Sequence, residues 1–138
     1  MASAVAPIVK SVFLCDHVEV DPETGKPTVH GLFNSLRVEF VPDAVSVLED
    51  FCVFAEFIGG VSDAFVRVEI VHSETGTVVV HTPNRLLHFP ERHTIVYLSM
   101  RIAELAVAEP GVYIVELYCN DSFVDDRVLN VMSREENQ

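Results

Sequence analysis

Three of the six histidines lie in one short stretch, and this is the first place where the sequence could do chemistry. The segment HTPNRLLHFPERH, residues 81–93, holds His81, His88 and His93 together with Glu91. Imidazole and carboxylate groups are common ligands of zinc and iron, so this stretch is a candidate metal site. Its spacings of seven and five residues match no compact metal motif. The sequence therefore predicts no bound metal and keeps the three histidines as ligand candidates.

Asp16 is the fourth ligand candidate. If Leu14 and Val18 face the core, the two-residue period of a strand carries Asp16 inward with them. A carboxylate that faces a core needs hydrogen bonds or a cation. His17 and His30 are expected to face each other, or Asp16, across a hairpin. The group could act as an acid–base pair, and the alternative is a structural carboxylate held by backbone N–H groups.

Two other acidic stretches have simpler interpretations. DPETG, residues 21–25, is typical of a turn, since Pro22 presets φ and Gly25 supplies a positive φ. Asp125 and Asp126 are adjacent on a predicted strand, so their side chains point to opposite faces and cannot share a proton. Neither stretch predicts a catalytic or metal site.

Period-2 alternation of apolar and polar residues dominates the elements that must position these groups. VYIVELYC, for example, places Tyr113 and Val115 on one face and Ile114 and Tyr118 on the other. Turn signals divide the chain into about eight strands. The predicted strands are 8–20, 27–40, 50–58, 64–72, 76–82, 94–102, 111–119 and 123–132. The segments 41–50 and 102–109 leave room for a loop or one helical turn.

About eight antiparallel strands in 138 residues predict an all-β, two-sheet sandwich. A jelly-roll or a barrel is the alternative. The ending EPGVYIVELYCNDSFVDDRVLNV, with its inward tyrosine after a Pro-Gly turn, is similar to the closing hairpin of immunoglobulin-like sandwiches. We expect one domain over residues 1–132 and a frayed polar tail over 133–138.

The segments FLCDHVEVDPETGKPTVHGLFNSL and PGVYIVELYCNDSFV resemble a family of uncharacterised bacterial β-sandwich proteins. The shared features are a Cys-Asp near the start, a Gly-Lys turn and a Gly-x-Phe strand. The resemblance implies a β-sandwich fold. It carries no activity, cofactor or site residue to this chain.

Charge and cysteine content restrict the partners and the compartment. Nine basic against 21 acidic residues give a net charge of −12, which repels phosphate backbones and anionic membranes. We therefore expect no nucleic acid and no membrane as partner. Three widely spaced cysteines without a CxxC motif predict buried reduced thiols, and no signal sequence is recognisable, so we expect a cytoplasmic protein.

No catalytic motif is recognisable, so we predict neither an enzyme nor a cofactor. Apolar residues on both faces of several strands, such as Ile114 and Tyr118, predict a covered face and hence a protein partner or a homo-oligomer. The alternatives are a small metal-dependent enzyme, which would use residues 81–93 and Asp16, and a carrier of an apolar ligand.

Overall fold

The computed structural model describes residues 7–134, and within them the chain forms twelve β-strands and no α-helix. In chain order the strands are β1 (Ile8–Val20), β2 (Pro27–Leu32), β3 (Ser35–Val38), β4 (Ser46–Val47), β5 (Phe51–Ile58), β6 (Ser62–His72), β7 (Val78–His81), β8 (Arg85–Phe89), β9 (Val96–Ile102), β10 (Ala106–Val107), β11 (Gly111–Cys119) and β12 (Ser122–Ser133). They build two main sheets that pack on each other, so the predicted β-sandwich is confirmed and the closed-barrel alternative is wrong.

Sheet 1 has the strand order β2-β1-β5-β9 and is antiparallel throughout. Sheet 2 has the order β3-β12-β11-β6-β7. One edge of β6 pairs with β11. Its other edge pairs with two short strands, β7 and β8. Among the described pairs, β3 and β12 are parallel, which the antiparallel prediction did not include. Strands β4 and β10 form a separate two-stranded sheet.

The alternation of apolar and polar residues in the sequence predicts which side chains form the core. In β11 the inward residues are buried and the outward residues are partly exposed, as predicted. The inner faces of both sheets contribute to a single cluster of buried side chains, in which Phe57 and Ile70 are fully covered. Burying a side chain of this size stabilises a fold by about 1.5–3 kcal/mol, so this cluster is the main source of stability.

The predicted turns form as the residue types require. Asp21 accepts hydrogen bonds from the backbone N–H groups of Glu23 and Thr24, at 2.8 and 3.1 Å, and Gly25 has a φ of +72°. The bonds from Thr24 and Glu23 lower the pKa of the Asp21 carboxyl. Asn120 and Asp121, with φ of +50° and +66°, form the two-residue hairpin between β11 and β12.

The strand count was predicted too low. The predicted strand 27–40 divides into β2 and β3, and a further strand, β8, forms between the predicted strands 76–82 and 94–102. The segments 41–50 and 102–109 contain β4 and β10, which pair with each other. The period of a sequence cannot reveal two-residue strands, because their existence depends on the partner that the fold brings to them.

Tyr113 anchors the turn that leads into β11. Its hydroxyl donates a hydrogen bond to the carbonyl oxygen of Glu109 at 2.9 Å, while its ring is buried in the core. A tyrosine bonded to an upstream carbonyl resembles the tyrosine corner of immunoglobulin-like sandwiches, and we use that name for this contact. The immunoglobulin-like arrangement of the whole domain stays a prediction.

The predicted frayed tail begins too early. Strand β12 continues through Ser133, whose backbone pairs with Val38 of β3. Residues 135–138 of that predicted tail lie outside the described residues, and its fraying stays a prediction.

Candidate interaction surface

The outer face of sheet 2 carries a line of apolar side chains across four strands. Ile114 of β11 lies opposite Val128 of β12 on one side and Val71 of β6 on the other, and Val71 lies opposite Val78 of β7. We call these four residues the apolar row. Val128 and Val78 are 50% and 49% exposed, and Ile114 and Val71 are half-buried. Paired residues of neighbouring strands share one face of a sheet, so the four side chains form an apolar strip, with a register shift at the Val71–Val78 pair.

A line of carboxylates runs beside the apolar row. Glu116 of β11 lies opposite Asp126 of β12 and opposite Glu69 of β6, and we call these three residues the acidic row. Arg67 pairs with Glu69 at 3.3 Å. Glu116 accepts a hydrogen bond from the hydroxyl of Tyr118 at 3.1 Å. The surface thus places an acidic strip two residues, or about 7 Å, along the strands from an apolar strip.

Tyr118 lies next along β11 and is part of a small packed cluster. The guanidinium of Arg67 lies 4.4 Å from the centre of its ring, and Phe123 meets the ring edge-on at 6.1 Å. Desolvation and the adjacent carboxylate of Glu116 raise the pKa of the Tyr118 hydroxyl. Both predicted interaction residues, Ile114 and Tyr118, therefore lie on this face, and both are half-buried.

The structure does not gather the histidine ligand candidates. His81 lies opposite Glu69 in the β6–β7 ladder, and His88 lies opposite Asp63 in the β6–β8 ladder. The side chains of His88 and Asp63 also contact each other, with 2.7 Å between Nδ1 and Oδ1. Six residues of an extended strand separate these positions, or about 20 Å. His93 lies exposed in the connection before β9. Among residues 7–134, no three His, Cys, Asp or Glu side chains are placed to hold a metal ion.

Asp16 was expected to face the core, and its side chain is exposed instead. Asp16 shares a strand face with the buried Leu14, but its side chain opens onto a cleft and not onto the closed core. Asp16 lines an open cleft of about 550 Å³ with Arg37, Phe51 and other residues. Its carboxylate lies over Gly31, whose φ is +69° and where a Cβ atom would collide with it. The prediction that the Asp16 carboxylate is buried in the core is therefore wrong.

His17 and His30 do face each other across the β1–β2 hairpin. Their rings stack with centroids 4.3 Å apart, and His30 Nε2 lies 3.0 Å from Glu19 Oε2. Asp125 and Asp126 point to opposite faces as expected. Asp125 pairs with Arg127 at 3.0 Å, so it is held in an ion pair rather than beside a second carboxyl group.

His72 is a buried polar residue that was not among the residues predicted from the sequence. It follows Val68 and Ile70 on the inner face of β6 and is 5% exposed. Its Nε2 atom has no hydrogen-bond partner within the described chain, although Glu109 Oε1 lies 3.4 Å away. Its ring meets Tyr113 edge-on at 4.9 Å. The same alternation that marks the core of β6 could have identified it.

All three cysteines are free. Cys15 and Cys119 are buried as predicted, while Cys52 is partly exposed. Cys15 lies opposite Cys52 in the β1–β5 ladder, and its Sγ is 3.7 Å from the Cys52 carbonyl oxygen. Desolvation, followed by the charges of Cys52 and Asp16, raises the pKa of the Cys15 thiol to about 11. Burial and the raised pKa both disfavour the reactive thiolate form of Cys15.

Comparison with known proteins places the chain in a group without an assigned activity. The model of a family of unknown function, DUF6941, matches residues 10–132. No curated protein matches the sequence. Across residues 7–134 there is no helix with the length and apolar character to cross a bilayer.

Proposed function

Because the chain belongs to DUF6941, a family of unknown function, its role must be inferred from its own surface, and we propose that it is a non-catalytic module that binds another protein chain. The binding surface is the apolar row on the outer face of sheet 2. The partner is either a different protein or a second copy of this chain.

One observation carries this proposal: exposed apolar side chains lie together on the outer face of sheet 2, with the apolar row at paired positions on four neighbouring strands. An outer sheet face that is exposed to water usually alternates to polar residues. Contiguous exposed apolar surface is typical of binding sites, whereas scattered single residues are not. The alternative of a metal-dependent enzyme gains no support, because His81, His88 and Asp16 lie apart.

A pair of matched double variants tests the proposal. Val128→Ser/Val78→Ser removes the two exposed ends of the apolar row. Val41→Ser/Val45→Ser removes two valines of similar exposure, 57% and 59%, from the segment between β3 and β4. The same chemical change is thus made on and off the surface.

Self-association is measured by light scattering, and binding of other proteins by quantitative capture from an extract of the source cells. We expect the apolar-row variant to lose an oligomer or a captured protein that the wild type and the control variant both retain. A monomeric wild type whose captured set is the same for both double variants would overturn the proposal.

A further inference from the structure

We propose that the partner at this surface is a basic polypeptide segment, with apolar side chains on the apolar row and Lys or Arg side chains on the acidic row. This inference rests on the proposed function and adds the chemistry of the partner. It selects a different protein over a second copy of the chain.

The first argument is the register of the acidic row. Glu116 has a carboxylate directly opposite it on both neighbouring strands, Asp126 and Glu69. Directly opposed side chains on one sheet face have Cβ atoms about 4.5–5.5 Å apart, and like charges at this distance destabilise the sheet. A partner cation between the strands would relieve this repulsion.

The second argument is that the protein supplies too few cations of its own. Arg67 pairs with Glu69, and it also pairs with Asp121 in the β11–β12 turn. Within residues 7–134, Glu116 and Asp126 have no basic side chain as a salt-bridge partner. Within that range these two carboxylates therefore lack a compensating cation, and Glu116 has only the hydrogen bond from the Tyr118 hydroxyl.

The third argument is the combination of the two rows. An apolar strip beside an unbalanced acidic strip is complementary to a segment that carries apolar and basic side chains about 7 Å apart. Residues i and i+2 of an extended chain have this spacing. A second copy would bring its own acidic row and a net charge of −12 to the same place, so electrostatics disfavour it. The same charge would accelerate the approach of a basic partner.

Labelled peptides provide the probe. The peptide VTKTVTKTVT places Val and Lys alternately on one face of an extended chain. A second peptide replaces each Lys with Glu, and a third replaces each Val with Ser. Fluorescence anisotropy with the full-length protein gives the affinities. We expect the Val/Lys peptide to bind tightest and the Val/Glu peptide to bind weakest.

Two protein variants with equal charge locate the site. Glu116→Gln/Asp126→Asn neutralises the free part of the acidic row, and Asp43→Asn/Glu49→Gln removes the same charge from exposed positions elsewhere. We expect the first to weaken binding of the Val/Lys peptide roughly fivefold to tenfold, since partly exposed ion pairs are individually weak. The control is expected to change it by less than about twofold. Equal losses in the two variants would overturn the inference.

A stability measurement separates recognition from folding. If the acidic row is repulsive in the free protein, Glu116→Gln raises the melting temperature while it weakens peptide binding. A lower melting temperature would contradict the repulsion argument.

Failure of this inference can be distinguished from failure of the proposed function. If Val128→Ser/Val78→Ser abolishes capture of a protein and Glu116→Gln/Asp126→Asn does not affect it, the surface is correct and the basic partner is wrong. If neither variant affects capture or oligomeric state, the proposed function fails and this inference fails with it.

Discussion

Replacing Tyr113 with Phe isolates the hydrogen bond of the tyrosine corner. The substitution removes the hydroxyl that donates to the Glu109 carbonyl oxygen at 2.9 Å. The phenyl ring remains, and so does its edge-on contact with His72. The variant therefore changes one polar interaction and keeps the packing of the core.

The magnitude follows from the location of the bond. One intramolecular hydrogen bond contributes about 0.5–1.5 kcal/mol net to stability. Glu109 is exposed, so water can reach the turn, and we add no penalty for an unsatisfied carbonyl. We expect Tyr113→Phe to lower the free energy of unfolding by about 1 kcal/mol. For a chain of this length that corresponds to a melting temperature lower by about 3–5 °C.

Urea denaturation of Tyr113→Phe and of Tyr97→Phe checks this prediction. Tyr97 is exposed, and within the described residues its hydroxyl has no hydrogen-bond partner, so its variant is expected to stay within about 0.5 kcal/mol of wild type. If both variants lose the same stability, or if Tyr113→Phe loses none, the corner does not stabilise the fold as argued.

Two further predictions concern Cys15 and Gly31. The folded-state pKa of Cys15, about 11 against an ordinary value of 9.0, means that the unfolded chain releases this proton first. The contribution of the Cys15 thiol to the free energy of unfolding is therefore complete below about pH 9 and is lost as the pH rises to 11. Urea denaturation between pH 8 and 11 is expected to show a shallower loss in Cys15→Ala, and an unchanged slope would contradict the assignment. Gly31→Ala forces a side chain into a positive φ and against Asp16, and we expect a loss of about 1–2 kcal/mol. Asp16→Ala/Gly31→Ala is expected to lose less than Gly31→Ala alone, and equal losses would show that the Asp16 contact is irrelevant.

Alternation and turn chemistry were enough to predict the long strands. The predicted boundaries of β1 and β11 agree with the structure, because Pro, Gly and Asp turns mark their ends, and β11 also has a strict two-residue period. The short strands β4 and β10 could not be predicted in this way. They exist because the fold brings Val47 opposite Ala106.

The candidate surface was predicted only in part, for a related reason. The sequence identifies Ile114 as an outward apolar residue on its strand. It does not reveal that Val128 and Val71 lie beside it, because that depends on the order β12-β11-β6 and on the register of each pair. Asp16 shows the opposite limit: the period gives the direction of its side chain, but it does not reveal the open cleft that leaves this side chain exposed.

The divided edge of sheet 2 restricts how other chains can add to this protein. Strand β6 has eleven residues, yet its outer edge is covered by β7 and β8, of four and five residues, with a break at 82–84. Thr82 secures that break, since its N–H donates to the Val68 carbonyl and its hydroxyl accepts from the Val68 N–H, both at 2.9 Å. An aggregating strand needs a long unbroken template of free backbone groups. This edge offers two short templates separated by Pro83, so a strand added here has no continuous ladder to extend.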